Sequence, residues 1–257
     1  SYCDTSLLYD LSHSPTEQAA TITDPAYFTP PLLTKTWRNV GIYPLTQEWL
    51  EAQSHQFWQG DQYAYPLPGN HIQWGEGYTP DAQSIRQAYV AQAGTVERVE
   101  VYGLDGSDQE SIPYSVTTSN HTIHLEQARG NHRYASFAIR SRETLTYQYE
   151  RQADDPQVLQ SFALAFDTYG SLTKTADVAY KRRSLNALEG QQETLLYTGH
   201  SSFYNHRDAE QNLLGVLTDS RQYNLIQVPP PDSHGYYSYA QMELLVNTAL
   251  ATSIPTQ

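Results

Sequence analysis

The 257-residue chain has one cysteine, Cys3, and one methionine. No internal disulfide can form, and no zinc site built on paired cysteines is available. Basic residues are scarce: 15 Lys and Arg stand against 28 Asp and Glu, a net charge of −13. With no basic stripe, neither nucleic acid nor an anionic membrane surface is an expected partner. No apolar run approaches the roughly 20 residues that span a bilayer, so membrane insertion by this chain is not expected. Signature motifs are missing too. The sequence has no G-x-S-x-G elbow, no phosphate-binding P-loop and no G-x-G-x-x-G, and Gly75-Glu76-Gly77 reads as a turn. H-E-x-x-H and EF-hand patterns are absent as well.

What is present is aromatic and β-patterned. Aromatics make up 12% of the chain, with 21 Tyr and 4 Trp, which excludes disorder over most of its length. Residues 1–31 are polar and carry Pro15, Pro25, Pro30 and Pro31, as an extended lead would. The start, Ser1-Tyr2-Cys3-Asp4, lacks an initiator Met and any signal-peptide pattern. It fits a chain that begins inside a longer polypeptide, and equally a processed one. Residues 32–95 read as a helical and loop insert anchored by aromatics. Residues 44–58 have helical spacing, with Pro44 at the start and Leu45, Trp49 and Leu50 near one face. A second helix is expected from Pro80 to Ala91, with Thr79 as N-cap and Ile85, Ala88 and Tyr89 as its apolar stripe.

From Val96 the period becomes two. Val99 and Val101, then Ala135, Phe137 and Ile139, then Leu145, Tyr147 and Tyr149, then Phe162, Leu164 and Phe166 alternate with polar neighbours. Residues 96–228 therefore read as an antiparallel sheet with one apolar face. Residues 229–257 read as a proline-rich turn and a last helix from Ser238 to Ala251, carrying Met242, Leu245, Val246 and Ala249. The fold class is mainly β, with two or three short helices.

Candidate chemistry is thin. His121 and His124 sit three apart, with His132 following. In a strand that offset points them to opposite faces, so a shared metal would need a bulge. Asp154-Asp155-Pro156 reads as a turn, and nothing selects a carboxylate pair of the kind a glycosidase needs. No cofactor is implied. Asn120-His121-Thr122 is a formal glycosylation sequon. Trp49, Trp58, Trp74 and Tyr78 belong to an aromatic cluster between residues 49 and 78. This cluster reads chiefly as a local core pinning the insert to the sheet. Alternatively it is a stacking platform, and the chain a stand-alone secreted β domain that binds carbohydrate or a protein partner.

An ordered series of motifs carries a resemblance. The segment 100–106 reads Glu-Val-Tyr-Gly-Leu-Asp-Gly, with Tyr102, Asp105 and Gly106. Arg142-Glu143-Thr144-Leu145-Thr146-Tyr147-Gln148-Tyr149 follows, then Phe166-Asp167-Thr168-Tyr169-Gly170-Ser171-Leu172, then Val178-Ala179-Tyr180-Lys181-Arg182-Arg183. Upstream, Leu33-Thr34-Lys35-Thr36-Trp37 precedes Gly41. Over about residues 32–205 this succession resembles the B subunit of the tripartite insecticidal toxin complexes (Tc or ABC toxins), in the region after its β-propeller. The Asp167 segment is similar to one degenerate Rhs/YD repeat. The resemblance implies a secreted bacterial toxin complex in which the B and C subunits form a hollow β shell around a cytotoxic cargo. The cargo is carried by the C subunit and released toward a pore-forming A subunit. It further implies that this chain is a stretch of shell wall with no catalytic residue of its own. Its partners would be the remainder of a large B-like subunit and the C subunit.

Overall fold

A computed structural model describes residues 2–8, 31–44, 47–184, 188–208, 210–226, 228–231 and 235–252; at 2–8, 47–50 and 249–252 it gives the backbone path alone. Ten strands make one sheet. They are β1 (Tyr2–Leu8), β2 (Leu32–Arg38), β3 (His71–Gln73), β4 (Val96–Gly103), β5 (Ser115–Gln127), β6 (Ser136–Gln148), β7 (Gln157–Phe166), β8 (Leu172–Ala179), β9 (Leu195–Arg207) and β10 (Asn212–Leu225). Nine of them lie side by side in chain order, each antiparallel to the next, and β3 joins parallel beside the far half of β5. Among the described residues three α-helices accompany the sheet: α1 (Gln47–Ser54), α2 (Ala82–Ala91) and α3 (Tyr239–Thr252). No helix among the described residues is long and apolar enough to cross a membrane.

The alternation in the sequence becomes a difference between two faces. In β7, Val158, Gln160 and Phe162 are buried while Gln157, Leu159 and Ser161 are exposed. Register carries the same face across the sheet, because Tyr147 pairs with Val116 and Val158, and Phe162 with Ala176. A one-residue slip in any pair would turn these side chains into water. Two clusters form the core on that face. Val116, Leu145, Tyr147, Tyr149, Val158 and Tyr236 make one. Phe162, Leu164, Ala176, Val178 and Leu196 make the other, with Tyr237, Met242 and Val246 closing over them from α3 and the segment before it. Each large apolar side chain buried there contributes about 1.5–3 kcal/mol.

The helices depart from expectation at their ends. Asp81, not Thr79, caps α2: its Oδ1 accepts from the Ser84 backbone N–H at 2.7 Å. A carboxylate is the stronger acceptor and complements the helix dipole, so the helix opens two residues later. Helix α1 covers less than 44–58. The Trp58 N–H donates to the buried Glu100 carboxylate at 2.9 Å, so by residue 58 the backbone is tied to the sheet. Leu45 lies outside the described residues. Helix α3 opens on a capping box, in which Gln241 N–H donates to Ser238 Oγ and Ser238 N–H to Gln241 Oε1.

Candidate functional site

Between β2 and β4 the chain runs across the helix-bearing face as a strap, and polar groups fasten it. Asp61, whose side chain is 2% exposed, takes a two-pronged contact from Arg183 at 2.8 and 3.0 Å. It also accepts from Tyr149 Oη at 2.9 Å. Arg183 reaches Tyr236 Oη as well. Tyr147 Oη accepts from the Tyr65 N–H at 2.8 Å, and the Tyr65 ring stacks on Tyr236 at 5.3 Å. Burial pushes the Tyr147 and Tyr149 phenols far up, so both stay neutral in the folded chain. The sequence motifs included Arg183, but Asp61 carried no local signal, because its partner lies 122 residues away.

The aromatic cluster is arranged along this strap. The Trp58 ring meets Tyr149 edge-on at 4.7 Å, and Phe57 meets Trp37 at 5.2 Å. Trp74 lies against Phe137 and Tyr78, and Tyr78 Oη shares a hydrogen bond with Ser84. Trp49 sits in α1, its side chain outside the described residues. Trp37 itself is 1% exposed.

The 102–106 motif forms a turn locked by an arginine. Arg151 donates to Asp105 at 2.5 Å, to the Gly103 carbonyl at 2.8 Å and to Ser107 Oγ at 3.2 Å, and its guanidinium lies over the Tyr114 ring. Gly106 sits at φ +69°, where a side chain is strained. Gly103 is needed for another reason. A Cβ there would stand 2.6 Å from Tyr114 and 2.7 Å from Arg151. Gly103→Ala is expected to cost about 1–3 kcal/mol by overpacking, read as a lower urea midpoint with unchanged slope. Tyr102 Oη donates to buried Glu100, which Arg98 also contacts at 2.6 Å.

The 167–172 motif is a second turn, closed on its own aspartate and tied to β9. Asp167 Oδ1 accepts from the Tyr169 and Ser171 N–H groups, Oδ2 accepts from Asn205, and Gly170 supplies φ +88°. Leu172 opens β8 just after it.

Glu143 forms the third motif contact. It is buried, accepts from Asn120 at 3.0 Å and Gln160 at 3.4 Å, and lies 3.7 Å from Arg142. Gln160 passes the chain on to Tyr180 Oη and the Tyr237 carbonyl. Arg142 is the extra residue of a β-bulge between Glu143 and Ser141, which aims its guanidinium over Tyr239 of α3 at 3.6 Å.

These carboxylates titrate in opposite senses. The Arg151 contact holds Asp105 well below the usual carboxylate range. For Asp167, burial acts to raise the pKa, but hydrogen bonds from Ser171, Asn205 and Tyr169 outweigh it and the net shift is downward. A depressed acid contributes stability above its unfolded pKa and loses it as pH falls toward its folded one. Burial raises Glu143, so its contribution runs the other way: its ionised form costs stability as pH rises past its unfolded value. Asp105→Asn is accordingly expected to flatten the loss of thermal stability below about pH 4, checked by melting the variant and parent across that range.

The histidines do not converge. His121 is half-buried, its Nδ1 without a partner, and burial lowers its pKa. His124 turns to Gln73. No group of three His, Cys, Asp or Glu suited to a metal exists among the described residues. The sequon asparagine is 2% exposed and spends its amide on Pro68 and Glu143, so the folded chain offers no acceptor there.

Among the described residues the sheet ends in two open edges: no strand pairs with the outer side of β1 or of β10. β9 and β10 run past β8, and Tyr204, Leu213, Leu214, Val216 and Leu217 stand exposed on them. A family model of the insecticide toxin TcdB middle/C-terminal region matches residues 87–230. The chain belongs to this TcdB family. Similar solved structures agree. The crystal structure of TcdB2–TccC3–Cdc42 is 25% identical with a TM-score of 0.70, covering 82% of this chain and 11% of that one. TcdB2–TccC3 is 28% identical, TM-score 0.65, over 78% and 11%. The Photorhabdus luminescens Tc holotoxin pore, bearing a TccC3 mutation, is 26% identical, TM-score 0.65, over 81% and 10%. The TcdB-type chain here thus spans about a tenth of the length of the chains it matches. No curated protein matches it.

Proposed function

We propose that this TcdB-family chain is a stretch of wall in a toxin-complex B subunit, and that the wall, with a C subunit, encloses a cytotoxic cargo for delivery through a pore-forming A subunit. The observation that carries the reading is that, among the described residues, both outer strands of the sheet lack a further partner, with exposed apolar side chains along the β9–β10 arm. Strands laid in chain order with free outer edges can be continued by further strands on either side, as a closed shell requires. The relatives' association as TcdB2–TccC3 complexes and as a Tc holotoxin supports the subunit assignment. The reading gives the chain no reaction to catalyse: its role is to hold shape.

The purified chain is expected to self-associate with rising concentration in analytical ultracentrifugation. Leu214→Lys with Leu217→Lys should reduce this without lowering the melting temperature, since both side chains are exposed. A monodisperse parent chain that melts cooperatively as a monomer would count against the wall reading.

A further inference from the structure

The bulge that aims Arg142 interrupts the β5–β6 ladder, a disruption that proteins keep where it redirects a side chain. Yet the Arg142 guanidinium donates no hydrogen bond among the described residues. The carboxylate in its reach, Glu143 at 3.7 Å, is already held by Asn120 and Gln160. What Arg142 lines instead is a cavity of about 690 Å³, between β3, the ends of β5, β6 and β7, and the first turns of α3.

Register decides which other donors line it. Thr122 of β5 pairs with His71 of β3 on one side and with Arg140 of β6 on the other. Residues paired in this way share a face, so the three stand in a row beside Arg142. Both guanidiniums lie over aromatic rings, Arg142 at 3.6 Å from the Tyr239 centroid and Arg140 at 5.1 Å from that of Phe166. Such stacking steadies a guanidinium and leaves its N–H edge free for an oxyanion. Arg140 gives one N–H to Glu126 at 2.8 Å and keeps the rest.

The acids of the cavity are mostly committed. Glu126 is taken by Arg140, and Asp167 by the backbone of its own turn and Asn205. Glu243, exposed on α3, forms no ion pair among the described residues. His124 lines the cavity too, its Nδ1 sharing a hydrogen bond with Gln73. His71 feels Arg142 directly: partial burial and that positive charge lower its pKa. Protonated His71 and Arg142 repel each other, and an anion between them turns the repulsion into attraction.

We propose that this cavity binds a small molecule bearing a tetrahedral oxyanion, a phosphate or sulfate group, held by Arg142 and His71 with Arg140 and Thr122 beside them. The donors come from three strands, so they surround a group rather than grip one edge of it, which favours a tetrahedral anion over a planar carboxylate. Leu164 and the rings of Phe166 and Tyr239 give the rest of the ligand an apolar wall. The site does not depend on the wall reading.

The test is calorimetric titration of the purified chain with inorganic phosphate, sulfate and acetate at one fixed ionic strength. Phosphate and sulfate are expected to saturate a single site, and acetate to bind more weakly. Arg142→Gln should weaken both by about tenfold or more. Glu243→Gln, which removes a negative charge from the cavity, should strengthen both. Sulfate keeps its charge across the histidine range, so its affinity for the parent chain should rise as pH falls from about 8 to 5.5 and His71 gains its proton. In His71→Gln the rise should be smaller. His71 is exposed, so this variant keeps the result readable if Arg142→Gln disturbs α3. Arg221→Gln, at an exposed arginine of β10, is the control and should bind like the parent. No saturable binding, acetate held as tightly as sulfate, or equal binding by the parent, Arg142→Gln and His71→Gln overturns the proposal.

Discussion

Asp61→Ala is expected to lower the stability of the chain by about 2–4 kcal/mol, which makes it one of the two most damaging single changes here. The carboxylate is 2% exposed, and its removal strands the Arg183 guanidinium and the Tyr149 hydroxyl together. The lower part of the range for a broken buried pair applies because 23% of the Arg183 side chain still reaches water. A double-mutant cycle separates the pair from the packing. If Asp61 and Arg183 act as one unit, Asp61→Ala combined with Arg183→Leu costs less than the two single losses added. Strict additivity in urea unfolding would show that the pair contributes no coupling. Hydrogen exchange should locate the damage, with amides of the strap from Gln59 to Tyr65 losing protection while those of β6 and β7 keep theirs.

Phe162→Ala carries the other large effect, about 3–5 kcal/mol, the usual cost of emptying a buried aromatic site. Phe162 is 2% exposed and lies at the centre of the cluster that holds α3 to the sheet, with the Tyr239 ring 6.4 Å away. The cavity cannot close easily, because Ala176 beside it is already small and the backbone is fixed by pairing on both sides. The urea midpoint should fall, and α3 should lose exchange protection before β5 and β6 do. A loss below about 1 kcal/mol would mean that α3 collapses into the gap, and that this core is softer than its packing indicates.

Much of this architecture could be read from the sequence, because one face of the sheet is buried from β4 to β9. Leu145, Tyr147 and Tyr149, or Val158 and Phe162, repeat at period two for a physical reason: alternate side chains must avoid water. The turns were legible where chemistry is local, as with Asp167 and Gly170, where the bonds from Tyr169 and Ser171 to Asp167 Oδ1 close within five residues. What escaped were features that depend on distant partners. His71–Gln73 is too short to show a period, and it is a strand only because residues 122–124 lie beside it. The bulge at Arg142 leaves no trace in a pattern of alternating residues, although it turns that side chain onto α3. The Asp81 cap competed with Thr79, which fits the same role by type. The strap's Asp61 looked like any of 28 acids until Arg183 was placed against it.

The order of the strands also shapes how the sheet comes into being. Apart from β3, every strand lies beside its predecessor or successor in the chain, so most pairings join segments made within moments of each other. Short sequence separations close quickly, and a sheet of this kind can be laid down strand by strand as synthesis proceeds. Asp61 is the extreme among the longer-range contacts. It must wait through 122 residues for Arg183 to arrive, by which time β4 to β8 already exist as a platform. A nascent chain halted before residue 183 should therefore carry β4 to β8 with the strap held to Glu100, Tyr147 and Tyr149 but still lacking its arginine.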